Sequence, residues 1–91
     1  MGFLVVDENR VFKALEKLPK EIRAAYSVWR KIILTEGFLG LRRVKGFHFE
    51  KLKGSRVGQY SCRLNRGFRV IFQMGRDKVL LEVLEVNKHD Y

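Results

Sequence analysis

Cysteine and proline are almost missing from this sequence. Each occurs once among 91 residues, as Cys62 and Pro19. A lone cysteine excludes an internal disulfide and a cysteine-based zinc site. Its expected role is that of a small buried hydrophobe. One proline, no low-complexity tract and 46% hydrophobic residues argue against a disordered chain. No apolar run approaches the ~20 residues needed to span a membrane. The opening MGFLVVDENR lacks the basic flank and long apolar stretch of a signal peptide. The two histidines, His48 and His89, stand far apart with no carboxylates clustered beside them, so no metal site and no cofactor are expected. These absences predict a cytoplasmic protein with one small domain over residues 1–91.

Acid is scarce in one place only. The net charge is +9, and the sequence pI is near 10.1. Between Arg42 and Arg69 lie nine Lys/Arg and a single acid, Glu50. The excess is therefore local, and local positive charge implies a polyanionic partner, most often nucleic acid.

Phe3 to Val6 is a short apolar run that predicts a first strand. Asp7 suits a helix cap, with Glu8 in the first turn. Val11, Phe12, Leu15 and Leu18 then recur at helical spacing, and Pro19 ends that helix or starts the next. Ile22, Ala25, Tyr26, Trp29, Ile32 and Ile33 form one apolar stripe, with Gly37 as a stop. A helix hairpin is thus expected over about 9–36, and GFLGLRRVKG (37–46) reads as a connector.

The remainder reads as β. Val57 to Leu64 and Phe68 to Gln73 are two strands, joined by Asn65-Arg66-Gly67 with Gly67 in the left-handed position. That loop length sets Leu64 against Phe68, Cys62 against Val70 and Tyr60 against Phe72, an apolar face suited to covering the helices. The opposite face holds Gln59, Ser61, Arg63, Arg69, Ile71 and Gln73, with Arg63 directly opposite Arg69. Like charges so placed oppose folding unless an anion sits between them. Val79 to Val86 is a last strand, expected inside the sheet because it is apolar through most of its length.

FEKLKGSRVGQYSCRLNRGFRVIFQ is similar to the basic hairpin of the RelE/ParE toxin superfamily of type II toxin–antitoxin systems. The ending VLEVNKHDY resembles that family's last strand with its basic or His residue and Tyr. ENRVFKALEKLPKEIRAA resembles its opening helices. The resemblance implies an α+β fold, with an N-terminal strand and helix hairpin packed on one face of a small, mainly antiparallel twisted sheet. RelE, YoeB and HigB members cut mRNA, usually in the ribosomal A site, whereas ParE members poison DNA gyrase. Glu50 and Lys53 fall where YoeB-like members have a Glu and a Lys. Arg63 and Arg69 fall at the two basic positions of the hairpin. His89 and Tyr91 match a terminal His-Tyr, with Asp90 inserted between them.

The resemblance therefore implies an endoribonuclease toxin, with mRNA on the ribosome and 16S rRNA as contacts and a cognate antitoxin as partner. RNA cleavage without metal needs a base for the 2′-hydroxyl, cations for the crowded phosphate and an acid for the leaving 5′-oxygen. Glu50 or His89 could be the base. Arg69, Arg63 and Lys53 could hold the phosphate. His89, Tyr91 or Lys53 could be the acid. Arg42, Arg43, Lys45, Lys51, Arg56 and Arg66 are expected to contact RNA or the ribosome through phosphate. His48, between Phe47 and Phe49, reads as structural, and Tyr26, Trp29 and Tyr60 as core. Two other functions remain open: a ParE-like gyrase poison, which has no need of Glu50, Arg69 and His89, and a binding-only relative.

Overall fold

The computed structural model describes residues 4–7, 9–75 and 80–88. Strand β1 (Leu4–Asp7) leads into α1 (Asn9–Glu16) and α2 (Lys20–Arg43), and β2 (Glu50–Lys51), β3 (Gln59–Arg63), β4 (Phe68–Met74) and β5 (Leu80–Lys88) follow. Asp7 is the last residue of β1, paired with Val83, and not the residue before Asn9 where a cap belongs. Phe3, Glu8 and Val79 lie outside the described residues.

Pro19 sits at the cap position of α2, and its carbonyl accepts the N–H groups of Ile22 and Arg23 at 3.0 and 3.1 Å. A proline there has no N–H to leave unpaired. Ile22, Tyr26, Trp29 and Ile33 are the buried stripe of α2, at the four-three-four spacing that a helix needs to keep one face inward. Gly37 interrupts the helix with φ 67° and ψ −156°, a backbone open in practice only to glycine. The stop expected at Gly37 is therefore real, but the segment after it is not a plain connector. Helix resumes and runs to Arg43, because Leu41 is fully buried and Phe38 packs against the core.

The strands form one sheet in the order β1-β5-β4-β3-β2. β1 runs parallel to β5, and every other pair is antiparallel. This is the expected α+β layout, with β5 flanked on both sides. The hairpin register is also as the loop length demands: Tyr60 opposite Phe72, Cys62 opposite Val70, Arg63 opposite Arg69. Gly67, however, does not take the left-handed conformation; only Gly37, Gly54 and Gly58 among the described glycines do. The turn is closed by a side chain instead. Asn65 Oδ1 accepts the N–H groups of Gly67 and Phe68 at 2.7 and 2.8 Å. An asparagine bonding the backbone two and three residues on supplies the reversal without positive φ.

The helix-side face of the sheet carries the core. Trp29 and Phe72 are fully buried, with ring centroids 5.1 Å apart edge to face. Tyr26 stacks on Trp29 at 5.5 Å, and Tyr60 stacks on both Phe72 and Phe49. Phe38 joins Tyr60 at 5.0 Å, which anchors the helix segment beyond Gly37. Cys62 lies in the same layer, and burial pushes its thiol up to about 12, opposed in part by the indole N–H of Trp29 beside it. That indole nitrogen has no partner meeting hydrogen-bond geometry.

Candidate anion site on the open sheet face

The face turned away from the helices is set by strand alternation. Its rows can be read from the pairing. Glu50 pairs with Ser61, Ser61 with Ile71, and Ile71 with Glu85. One step along, Arg63 pairs with Arg69 and Arg69 with Asn87; in the other direction Gln59 pairs with Gln73 and Gln73 with Glu82. The register slips between Ile71 and Phe72, so Leu84 is an extra residue on β5. That bulge puts Glu82 and Glu85 on the same face, although they are three positions apart.

Arg63 and Arg69 are neighbours on adjacent strands and both half-buried. The Nε of Arg69 is buried and has no hydrogen-bond partner. A buried donor without an acceptor is unfavourable by about 1–3 kcal/mol. A bound phosphate oxygen is the acceptor that would relieve both this and the like-charge opposition. Glu50, exposed on β2, accepts a long bond from Ser61 Oγ at 3.4 Å. From its place opposite Ser61, Glu50 is a diagonal neighbour of Arg63, a backbone separation of roughly 7–8 Å that long side chains span. Lys53 is exposed just before the short 3-10 turn Gly54–Arg56. The fold thus brings Glu50, Arg63 and Arg69 onto one surface, with Lys53 at its rim. His89 and Tyr91 lie outside the described residues.

The remaining cations separate into two groups. Arg42, Arg43, Lys45, Lys51 and Lys53 are exposed around the end of α2 and the β2 edge, and Arg66 is exposed at the hairpin tip. Arg42 lies over the Phe49 ring at 5.5 Å, and Arg43 pairs with Glu36 at 3.6 Å. Arg56 differs. Its Nη1 donates to Gln59 Oε1 at 2.8 Å, and its Nη2 meets Glu85 Oε2 at 2.8 Å. The positive charge that is local in the sequence is thus not gathered on one face of the sheet. Arg56, Arg63 and Arg69 share the open face with Glu50, Glu82 and Glu85, and the surplus cations stand on the rim. The bulge at Leu84 is the physical reason, because simple alternation would have sent one of the two β5 glutamates to the helix side.

Compared by sequence, the chain matches no protein-family model and no curated protein. Compared by structure, it is similar to the archaeal RelE of a RelE–RelB complex from Pyrococcus horikoshii, with 28% identity, a TM-score of 0.74 and 97% of this chain covering 96% of that one. The fold is that of the RelE/YoeB toxins. A YoeB–YefM complex from Staphylococcus aureus gives a TM-score of 0.73 at 18% identity, over 99% of this chain and 100% of that one. An Escherichia coli RelE variant with two arginines changed to alanine, in the free state, gives 0.69 at 24% identity, over 97% and 84%. The resemblance read from the hairpin, the ending and the opening helices to the RelE/ParE superfamily therefore holds at the level of the whole fold. Within this RelE-like fold, the residues that sequence reasoning missed are Gln59 and Glu85, the two partners of Arg56. The two acids of β5, Glu82 and Glu85, were the available signal for Glu85.

Among the described residues no group of three or more His, Cys, Asp or Glu could hold a metal ion, and no helix is long and apolar enough to cross a membrane.

Proposed function

We propose that the protein is the toxin of a type II toxin–antitoxin pair, a metal-independent and ribosome-dependent mRNA endoribonuclease that blocks translation in the cytoplasm. The observation that supports it is the Arg63–Arg69 pair, with the buried, unpartnered Nε of Arg69 and a carboxylate one diagonal step from Arg63. Two opposed guanidinium groups suit the non-bridging oxygens of one phosphate, because each offers a planar fork of donors. They become more favourable as charge builds on the phosphate, which is when a catalyst is useful.

In the reaction, a base takes the 2′-hydroxyl proton, the 2′-oxygen bonds to phosphorus, and the bond from phosphorus to the 5′-oxygen breaks. The leaving oxygen takes a proton from an acid. The products are a 2′,3′-cyclic phosphate and a 5′-hydroxyl. Glu50 is the base on the face itself, with His89 the other candidate. Lys53, His89 and Tyr91 are the candidate acids. The rim cations would bind ribosomal RNA through phosphates, with a strong dependence on salt. A cognate antitoxin is the proposed protein partner, since similar folds occur in complexes with RelB and YefM. Acidic groups of such a partner laid over Arg63 and Arg69 would silence the site.

Mapping mRNA 5′ ends by primer extension in a translating extract tests this reading. Discrete cuts within codons are expected, absent without ribosomes and lost with Arg69→Ala. Intact message with wild-type protein, together with DNA damage signalling in cells, would replace the nuclease with the gyrase reading.

A further inference from the structure

Ile71 is fully buried although it lies on the face opposite the helices. Arg56 reaches across that face. Its guanidinium is bonded to Gln59 on β3 and to Glu85 on β5, so it spans β4 between the positions of Ile71 and Gln73. The pair is not a loose surface contact: the side chains are 38% and 26% exposed at a separation of 2.8 Å.

The location of Glu85 makes this pairing consequential. Glu85 is opposite Ile71, and Arg69 lies two residues before Ile71 on the same face. Glu85 and Arg69 are therefore diagonal neighbours, with backbones roughly 7–8 Å apart and side chains long enough to meet. A carboxylate and a half-buried guanidinium so placed would ordinarily join. Here the carboxylate is held by Arg56, and Arg69 Nε keeps an empty donor. If Arg56 lost its charge, Glu85 would lose that partner while lying one diagonal step from Arg69.

We infer that Arg56 is a positioning residue that holds Glu85 away from Arg69 and so keeps Arg69 open to a phosphate. Arg56 acts through Glu85 and need not touch the anion. The inference rests on the Arg63–Arg69 pair being the phosphate site, but not on cleavage of RNA.

The test is a double-mutant cycle on binding. The probe is a short 2′-deoxy oligonucleotide, which cannot be cleaved by 2′-oxygen attack, titrated calorimetrically against the full chain. Arg56→Gln keeps the reach to Gln59 and removes the charge. It is expected to weaken binding about tenfold, comparable to the loss of one charge-assisted contact. Glu85→Gln alone should bind as well as wild type or more tightly. The double variant Arg56→Gln with Glu85→Gln should return to within about threefold of wild type, since no carboxylate is left to occupy Arg69. Thermal melts of all four proteins exclude a folding defect as the cause of any loss.

A cation that merely touches the nucleic acid predicts no such recovery. Binding that stays weak in the double variant therefore overturns the inference. So does wild-type binding that is indifferent to Arg69→Ala. Recovery of binding in a protein that cuts no message would uphold the positioning role while the nuclease reading fails.

Discussion

Replacing Arg69 with methionine should make the protein more stable and less active at once. The substitution keeps an unbranched, flexible stem about as far as the position of Nε and removes the charge. Two terms favour the variant. Arg63 and Arg69 face each other directly, and relief of a like-charge pair across a sheet is worth ~0.2–1 kcal/mol. Arg69 Nε is buried without a partner, and removing an unsatisfied donor recovers about 1–3 kcal/mol, discounted here because the rest of the side chain is half-exposed. A net gain of about 1–2 kcal/mol is expected, which for a domain of this size raises the melting temperature by roughly 5–10 °C. Urea unfolding should show a higher midpoint with an unchanged slope. Cleavage of ribosome-bound message should fall ~100-fold or more, the typical loss when one group stabilising developing charge is removed. A variant that unfolds more easily than wild type would refute the reasoning, because Arg69 would then be a structural residue. A more stable variant that still cuts would remove Arg69 from the chemistry.

Two other substitutions separate the turn's actual chemistry from the one its composition suggests. Asn65→Ala removes an acceptor of two backbone N–H groups and should lower stability by about 1–2 kcal/mol in urea titration. Gly67→Ala should be neutral or slightly stabilising, since Gly67 has no positive φ and an added Cβ meets only Asn65 Oδ1 at an ordinary 3.8 Å. Cys62 should be inert to thiol reagents at pH 8 in the folded protein and react fully after denaturation, because burial holds its thiol near 12 against an ordinary 9.0. A raised folded value means that the native state holds this proton more tightly. The contribution of Cys62 to stability is therefore intact below pH 9 and lost as pH rises towards 12, measurable as a falling urea midpoint.

The parts of the fold legible in the sequence were those governed by short-range rules. The loop Asn65-Arg66-Gly67 set the hairpin register correctly, because loop length fixes pairing whatever the conformation within it. The same rule misled on Gly67, where glycine content suggested a left-handed residue but the Asn65 side chain closed the turn. Gly37 announced a break, and its φ of 67° agrees. The helical turn beyond it was hidden because burial of Leu41, a tertiary event, sustains it. On the site, the opposition of Arg63 and Arg69 followed from alternation. The partnership of Arg56 with Glu85 did not, because it depends on a bulge in β5 that changes which side of the sheet Glu85 occupies. Two glutamates three positions apart, Glu82 and Glu85, are the only trace of the bulge, and the same spacing is compatible with plain alternation that sends one of them to the helix side.

The pairing of β1 with β5 has a temporal meaning. Leu4 is matched with Leu80 and Asp7 with Val83, so the first strand to be synthesised waits for the last. Contacts between such distant parts of a chain form late, after the loop between them has closed. The chain emerges from a ribosome in that order, and its sheet stays unfinished until β5 is free of the exit path. The Arg63–Arg69 surface spans β3 and β4, and β4 is paired along its other side with β5. While the chain is still being synthesised, the Arg63–Arg69 surface is therefore incomplete, and the protein is born without its site.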